Sequence, residues 1–258
     1  MLTRQRQDLL LKLLEEKGSI TVSEVKDTLS ASASTIRRDI AALDQEGKLV
    51  KVFGGAVAAD QKVTTHEYTV AQKSELNLEE KRMIAKFAAS LIEPEDFVYL
   101  DAGTTTAYML DYIEESQVTF VTNAVAHAQR LAMCGLKVIL VGGELKASTE
   151  AVVGSQAMQT LQNYHFTKGF FGTNGVTKKS GCTTPDINEA MIKRTAMGQC
   201  RESYVLCDGS KFDHVSAVTF APFSGVTFLT NQRISGYEDC DNVEVAYDAS
   251  NPPELTRE

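Results

Sequence analysis

The sequence predicts an α/β protein with two domains: a winged helix-turn-helix over residues 1–56 and a mostly parallel α/β domain over residues 75–258. Two observations support this fold class. Three short amphipathic helices precede a glycine-bounded β segment in the first domain, and short apolar strands alternate with helices from residue 97 onward. A length of 258 residues leaves room for a second core. Residues 57–74 show no sustained hydrophobic period, so we interpret them as a linker.

Charge is distributed unevenly along the chain. The formal net charge of −8 is the sum of +1 in residues 1–56 and −9 in residues 57–258. Contact with a nucleic acid is therefore expected through the first domain, because the net negative charge of the second domain disfavours contact with the phosphate backbone of DNA. The N-terminus has no apolar signal core, and no segment approaches the ~20 apolar residues of a membrane helix. We expect a cytoplasmic protein with no membrane partner.

The cysteines favour neither a metal site nor a disulfide framework. They form no CxxC pair and no Cys/His cluster with zinc-ligand spacing. We expect reduced, buried thiols, no metal and no cofactor. A thiol-based redox sensor would need a reactive cysteine, whereas the carboxylate of Asp208 should raise the pKa of Cys207. The five cysteines are Cys134, Cys182, Cys200, Cys207 and Cys240.

The first domain is predicted to contain three helices, over residues 4–16, 22–29 and 32–43. A short link at 19–20 joins the first two, and a tight turn at 30–31 joins the second to the third. This is the helix-turn-helix layout, whose last helix fits a major groove about 12 Å wide. The leucines of the first helix expected to face the core are Leu9, Leu10, Leu13 and Leu14.

The third helix has an apolar face and a small, polar, cationic face. Ser32 is suited to cap its N-terminus and to present that end to a phosphate. Alone, this pattern is equally typical of a solvated amphipathic helix with two surface arginines. The apolar face comprises Ile36, Ile40 and Leu43. The opposite face comprises Ser34, Arg37, Arg38 and Ala41.

The segment after the third helix is interpreted as a β-wing. Residues 48–55 end in paired glycines, and their alternation places Lys51 and Phe53 on the face opposite Val50 and Val52. A wing following a helix-turn-helix favours DNA binding over the solvated helix.

In the second domain, polar loops follow the predicted strands. Residues 101–106 open directly into a helix: Gly103 permits close backbone approach, and the threonine hydroxyls and free amides after it suit an anion. Each such loop alone is typical of an ordinary turn. Because the carboxyl ends of parallel strands meet at one edge, five of them together predict a ligand site. The other four are at residues 122–123, 142–143, 172–175 and 208–211.

These loops supply three kinds of groups. Those suited to a phosphate are Thr104, Thr105 and Lys211. Those suited to the hydroxyls of a polyol are Asp101, Asn123 and Asp208. Glycines at Gly103, Gly142 and Gly143 keep the floor of the site open.

Taken together, these residues resemble the DeoR-type bacterial transcriptional regulators. Arg6, Leu10 and Leu14 occupy the family's positions in the first helix, and residues 32 and 35–40 follow the family's order in the third. The loops of the second domain match the family's effector domain, so the resemblance covers nearly the whole chain apart from the linker and the last ten or so residues.

The resemblance implies a repressor of a sugar-utilisation operon, released from operator DNA by a phosphorylated sugar such as fructose 1-phosphate or tagatose 6-phosphate. It also implies an effector domain similar in fold to ribose-5-phosphate isomerase. Lys73 and Lys81 stand where the family often has basic residues; they are effector or hinge residues, or solvated surface lysines. The effector-binding positions that the resemblance implies are Asp101, Gly103, Thr104, Thr105, Thr106, Asn123, Gly142, Gly143, Asn174, Asp208 and Lys211.

Roles can be assigned on the DNA-binding face. Arg38 and Ser34 are expected to contact base edges, since an arginine fork suits guanine. Asp39 lies nearer the core and is expected to pair with Arg6. A homo-oligomer, dimer or tetramer, is expected because operator half-sites lie about 34 Å apart. The residues expected to contact phosphates are Thr35, Arg37 and Lys51.

An enzyme is the rival interpretation: a sugar-phosphate isomerase or kinase with a DNA-binding appendage. Isomerisation needs a carboxylate base beside the C2 proton. No spacing pairs the available carboxylates, and the sequence has no kinase phosphate loop, so a sensor without catalytic residues is favoured. The carboxylates in question are Asp101, Glu144, Glu189 and Asp208.

Overall fold

The computed structural model describes residues 3–17, 19–29, 31–46, 48–52, 55–58 and 69–246. The chain divides into two compact units, with the boundary between residues 64 and 65. Within the described residues, the elements of the first unit are α1 (Thr3–Lys17), β1 (Ser19–Thr21), α2 (Val22–Leu29), α3 (Ala33–Gln45), β2 (Leu49–Val52) and β3 (Gly55–Ala58).

The first unit has a core built from the apolar stripes of its helices. Leu10 and Leu14 of α1 are buried, four residues apart on one face. Leu9, which was expected inside, is 41% exposed, because a residue one position away points about 100° around the helix. The predicted apolar face of α3 is buried as expected, through Ile36, Ile40 and Leu43.

The wing belongs to a three-stranded antiparallel sheet in the order β1-β3-β2. Residues 19–20, predicted as a link, instead form a strand together with Thr21, and this strand pairs with residues 55–57 of β3. Three residues are too few to show a period in sequence. Several residues of the predicted turns and wing lie outside the described part of the chain: Gly18, Ser30, Gly47, Phe53 and Gly54.

The second unit alternates strands and helices, as predicted. None of its described helices, nor any in the first unit, is long and apolar enough to cross a membrane. Its elements are α4 (Val70–Ser74), α5 (Leu78–Ser90), β4 (Phe97–Leu100), α6 (Thr104–Met109), β5 (Thr119–Thr122), α7 (Val125–Met133), β6 (Lys137–Leu140), β7 (Glu144–Lys146), β8 (Ala151–Val153), α8 (Ser155–Leu161), β9 (Phe166–Gly172), β10 (Gly175–Thr177), β11 (Gly181–Thr184), α9 (Ile187–Met197), β12 (Cys200–Leu206), β13 (Val218–Ala221), β14 (Thr227–Thr230) and β15 (Val243–Val245).

A seven-stranded sheet in the order β15-β14-β12-β9-β4-β5-β6 forms the centre of this unit, and all of its strand pairs are parallel. Alternate residues of its strands enter two hydrophobic clusters, Tyr99 and Phe171 in one, Leu100 and Phe170 in the other. Both faces are therefore covered, as a parallel sheet requires. The predicted mostly parallel α/β fold is confirmed, with its carboxyl edge formed by the predicted loops.

Two separate antiparallel sheets in this unit were not predicted from the sequence. One is the hairpin of β7 and β8, and the other is a small sheet in the order β10-β11-β13. Their strands have three or four residues each. Such strands carry too little alternation to be distinguished from turns.

The predicted linker includes regular structure at both ends. Residues 57–58 belong to β3, and residues 70–74 form α4. A capping box begins α4: Gln72 N donates to Thr69 Oγ1 at 3.4 Å, and Thr69 N donates to Gln72 Oε1 at 3.0 Å. A five-residue helix is too short to show a hydrophobic period. Residues 59–68 lie outside the described residues, so the domain limits at 56 and 75 remain predictions.

Candidate functional site

The polar face of α3 is arranged as the sequence predicts. Ser32 caps the helix, since its Oγ accepts a hydrogen bond from Thr35 N at 3.2 Å. The same Oγ lies 2.9 Å from Ser34 Oγ and 2.8 Å from Thr35 Oγ1. Ser34, Arg37 and Arg38 are all exposed. Two cationic side chains and one hydroxyl therefore lie on the solvent-exposed side of the first turns of α3.

Asp39 is a structural residue, as expected from its position near the core. It is 3% exposed, and Arg6 binds it through two nitrogens, with Arg6 Nη2 3.1 Å from Asp39 Oδ1. This fork joins α1 to α3. It also keeps a carboxylate away from the exposed face of α3, where a negative charge would repel DNA phosphates.

Lys51 lies in β2 and is exposed. Its backbone N donates to Asp44 Oδ1 at 2.8 Å, which links the wing strand to the last turn of α3. The exposed ammonium of Lys51 is thus carried by a strand that is hydrogen-bonded to α3.

In the second unit, a buried ion pair closes the carboxyl end of β4. Asp101 is 2% exposed, and its Oδ2 accepts hydrogen bonds from Gly172 N at 3.0 Å and from Lys193 Nζ. Lys193 Nζ also donates to Gly172 O at 3.1 Å. These contacts therefore join the ends of β4 and β9 to the middle of α9.

Lys193 was not among the site residues predicted from the sequence. The lysine is 5% exposed and lies three residues from the buried Ala190 and Ala196 on α9. The sequence did contain a signal for it, because Lys193 lies on the apolar stripe of α9. A cation in such a position is buried only when it has a partner.

The loop after Asp101 is shaped by its own side chains. Thr106 Oγ1 donates to Asp101 O at 2.7 Å and accepts from Gly103 N at 3.0 Å. Thr106 is fully buried, so its predicted role as an effector contact is replaced by a role in holding the loop. Thr104 is half-buried and Thr105 buried, at the start of α6.

Asn123 supports the same loop from the end of β5. Its Oδ1 accepts from Tyr99 O–H at 3.0 Å and from Ala102 N at 3.1 Å, while its Nδ2 donates to Val152 O at 3.1 Å. Because these bonds occupy the buried amide, the structure favours a positioning role over the predicted polyol contact.

Two other predicted residues, Gly143 and Asn174, have structural roles. Gly143 has φ +154°, and a Cβ there would lie 2.6 Å from Val153 O, so the position needs glycine for the β7–β8 hairpin. Gly142 is exposed beside it. Asn174 Oδ1 accepts a hydrogen bond from Thr184 Oγ1 at 3.2 Å.

The predicted loops do not all lie close enough together to share one small ligand. The strands preceding Gly142 and Lys211 are four positions apart in the sheet, about 19 Å, so the ends of these two strands do not meet around one small ligand.

Asp208, at the end of β12, is tied to the start of α5. Its buried Oδ1 accepts hydrogen bonds from Ser210 N at 2.9 Å, from the Ser210 hydroxyl, and from Asn77 Nδ2 at 3.0 Å. Asn77 has φ 50°, a left-handed conformation that asparagine tolerates. Its amide therefore contacts the Asp208 loop instead of capping α5, a role that the sequence did not reveal.

Three lysines whose charges interact lie beside this hydrogen bond: Lys73, Lys81 and Lys211. Lys81, one turn into α5, is 4% exposed, and its ammonium donates to Lys73 O. Burial, then the positive charge of Lys211, lower the pKa of Lys81 to about 8; Lys73 acts in the same direction and Asp208 opposes them. Lys81 is therefore a buried residue, and the alternative of a solvated surface lysine is wrong for it.

His127 is a buried group near the Asp101 loop that sequence analysis did not identify. It lies in the first turn of α7, and burial lowers its pKa to about 4, so the ring is neutral at physiological pH. Its Nδ1 has no hydrogen-bond partner among the described residues.

The five cysteines are free, and Cys134 is exposed, contrary to the expectation of buried thiols. Burial raises the pKa of Cys182 to about 12. The pKa of Cys207 is also raised, first by burial and then by Cys182 and Asp208, so the predicted effect of Asp208 is present but secondary. Within the described ranges, no group of three His, Cys, Asp or Glu side chains is placed to hold a metal.

Comparison with known families identifies both units. Residues 6–62 match the DeoR-like helix-turn-helix domain, and residues 76–232 match the DeoR C terminal sensor domain. The chain is 39% identical over 231 residues to the HTH-type transcriptional regulator FruR of Bacillus subtilis (strain 168), covering 89% of this chain and 91% of that protein. It is 32% identical over 243 residues to the lactose phosphotransferase system repressor of Staphylococcus aureus (strain NCTC 8325 / PS 47), covering 93% and 94%.

Among solved structures, ribose 5-phosphate isomerase A of Methanocaldococcus jannaschii is similar with a TM-score of 0.41 and 17% identity, covering 53% of this chain and 55% of that one. A likeness of this size carries no information about chemistry. The relatives that match nearly full length are named as a regulator and a repressor, not as enzymes. The chain therefore belongs to the DeoR family of DNA-binding transcriptional regulators.

Proposed function

We propose that this protein represses a sugar-utilisation operon and leaves its operator when a phosphorylated sugar binds at the carboxyl edge of the parallel sheet. Fructose 1-phosphate and tagatose 6-phosphate are examples of such effectors. The observation that carries the proposal is the buried ammonium of Lys81 close to the charges of Lys73 and Lys211. A buried ammonium that faces two partly exposed cations is unfavourable unless an anion joins them.

A phosphate dianion fits this cluster chemically. It offers three acceptor oxygens and up to two negative charges, whereas the carboxylates that act on Lys81 are those of Glu80 and of Asp208, the latter already hydrogen-bonded to Asn77 and Ser210. The short helical turn at Gly209–Lys211 follows directly and adds Lys211 to the cluster. The phosphate is therefore assigned to the end of β12 and the start of α5.

The sugar is assigned to the neighbouring ends of β9 and β4. β9 separates β12 from β4, so the Asp208 and Asp101 loops start about 10 Å apart, a distance that a small sugar phosphate spans. Asp101 Oδ2 is held by Lys193 and Gly172, while no described residue donates a hydrogen bond to Oδ1. That oxygen and the hydroxyls of Thr104 and Thr105 are the groups proposed to bind sugar hydroxyls, so the two threonines take the sugar and not the phosphate for which the sequence suited them.

Release from DNA requires that the effector bind one conformation better than another. We propose a homo-oligomer, dimer or tetramer, whose paired helix-turn-helix units match two half-sites about 34 Å apart only in the unliganded state. A single small module contributes too little affinity by itself. The effector then acts through a coupling free energy between its site and the operator.

A thermal-shift screen of the full chain against a panel of sugar phosphates tests this function. One member of the panel should raise the melting temperature, because a ligand at 100 times its dissociation constant adds about 2.7 kcal/mol of stability. The same compound should release operator DNA in a gel shift. Absence of any such compound would contradict the proposal, and sustained ketose–aldose interconversion would favour the isomerase alternative instead.

Effector affinity should depend on pH through Lys81. Its pKa of about 8 in the free protein should rise when a phosphate dianion binds beside it. Below pH 8 the ammonium is already protonated, so the titration of Lys81 does not change the affinity. Above pH 8 binding must take up a proton, so the affinity falls up to about tenfold per pH unit. Titration calorimetry at pH 9 in buffers of different ionisation enthalpy should detect that uptake. The Lys81→Met variant should show no such proton uptake. An affinity of the parent protein that does not change between pH 7.5 and 9.5 would refute the assignment.

A further inference from the structure

The short helix α4 depends on side chains from other elements. Five residues are too few for a helix to be stable alone in water. The carbonyls at its carboxyl end lack partners within the helix, as in any helix. Here Lys81 Nζ donates to Lys73 O, and Tyr108 O–H donates to Ser74 O at 3.0 Å. Two donors from elsewhere in the fold therefore hold the last turn of α4.

Both donors belong to elements that build the proposed effector site. Lys81 lies on α5 within the lysine cluster, and Tyr108 lies on α6, which begins at the end of the Asp101 loop. Helix α4 is also the first described element of the second unit, so the chain reaches the first unit through the residues that precede Thr69. The same ammonium thus faces a ligand cluster and caps the segment that leads toward the DNA-binding unit.

We propose that α4 is a latch: the effector phosphate draws the Lys81 ammonium away from the Lys73 carbonyl, and α4 loosens when that cap is lost. The inference rests on the proposed phosphate site. An ammonium binds a dianion more strongly than it binds a neutral carbonyl, so the exchange is favourable. The loosening also breaks the bond from Tyr108 O–H to Ser74 O, whereas the bond from Val70 N to Ser148 O, at 3.4 Å, lies at the other end of the helix.

Reciprocity gives the latch a distinctive signature. If phosphate binding weakens the latch, then weakening the latch by other means must strengthen phosphate binding by the same factor. Tyr108→Phe is suited to this test, because it removes only the hydroxyl that holds Ser74 O and alters no residue assigned to the ligand. A tyrosine with a merely structural role would leave phosphate affinity unchanged or lower it.

The experiment uses the full chain and inorganic phosphate as the probe, with chloride at equal ionic strength as the blank. Calorimetry should show phosphate binding about fivefold tighter in Tyr108→Phe, the factor corresponding to one lost hydrogen bond. Hydrogen exchange of a peptide covering residues 69–76 should become faster when phosphate is added to the parent chain. Tyr112→Phe is the matched control, since the Tyr112 hydroxyl bonds no residue in the described part of the chain; it should behave like the parent.

The possible results separate the latch from the proposed function. If phosphate binds the parent but leaves exchange at 69–76 unchanged, the latch is wrong while the phosphate site stands; this measurement needs no variant. Unchanged or weaker phosphate binding in Tyr108→Phe also overturns the latch. If neither phosphate nor any sugar phosphate binds the parent, both proposals fail. Faster exchange with phosphate, together with tighter binding in Tyr108→Phe, supports the latch.

Discussion

Replacement of Arg38 by alanine should lower operator affinity by about 2–6 kcal/mol for a dimer on two half-sites, since a bidentate contact to guanine contributes about 1–3 kcal/mol at each. Arg38 is exposed on the face of α3 opposite the buried Ile36 and Ile40, and it pairs with no acidic residue among those described. Gel shifts of operator DNA measure the loss. Effector binding and the melting temperature should be unchanged.

Arg37→Ala is the matched control on the same helix. Its guanidinium is expected to contact a phosphate, so the variant should weaken binding to all sequences equally and lower the salt dependence by about one ion per subunit. Arg38→Ala should instead flatten the preference among operator sequences. Normal operator affinity in Arg38→Ala would disprove the assignment of α3 as the recognition helix.

Replacement of Lys193 by methionine should lower the free energy of unfolding of the second unit by about 3–5 kcal/mol, because it leaves the carboxylate of Asp101 buried without its cation. Asp101 and Lys193 are 2% and 5% exposed. Urea unfolding followed by circular dichroism measures the change.

The double variant Asp101→Asn with Lys193→Met tests whether the loss comes from the unpaired charge. Removing both charges should restore most of the stability, giving a large coupling energy in the double-mutant cycle. Lys137→Met, at an exposed lysine of β6, should change stability by no more than about 0.5 kcal/mol. A single Lys193→Met variant as stable as the parent would show that the ion pair does not hold the β4, β9 and α9 junction together.

Some features of the fold and site follow directly from local sequence patterns. The apolar stripe of α3, its Ser32 cap and the pairing of Asp39 with Arg6 were predicted from helical periodicity and position. Six strands of the parallel sheet were predicted from short apolar segments that alternate with helices, and the edge strand β15 was missed. The short strands β1, β7, β8, β10, β11 and β13 were not, because each is too brief to show a period and depends on pairing with distant residues.

The sequence alone determined the two-domain organisation, the cationic face of one helix and the set of polar loops at one sheet edge, because these depend on periodicity and on residue types that are close in the chain. Only the tertiary structure decided what each polar group does. Asn123 and Thr106 hold the Asp101 loop, while Lys193, Asn77 and Lys81 reach partners on other elements. The partners of Lys193 and Asn77 lie 92 and 131 residues away in the chain, and no local pattern records which buried charge will meet which acceptor once the sheet has formed.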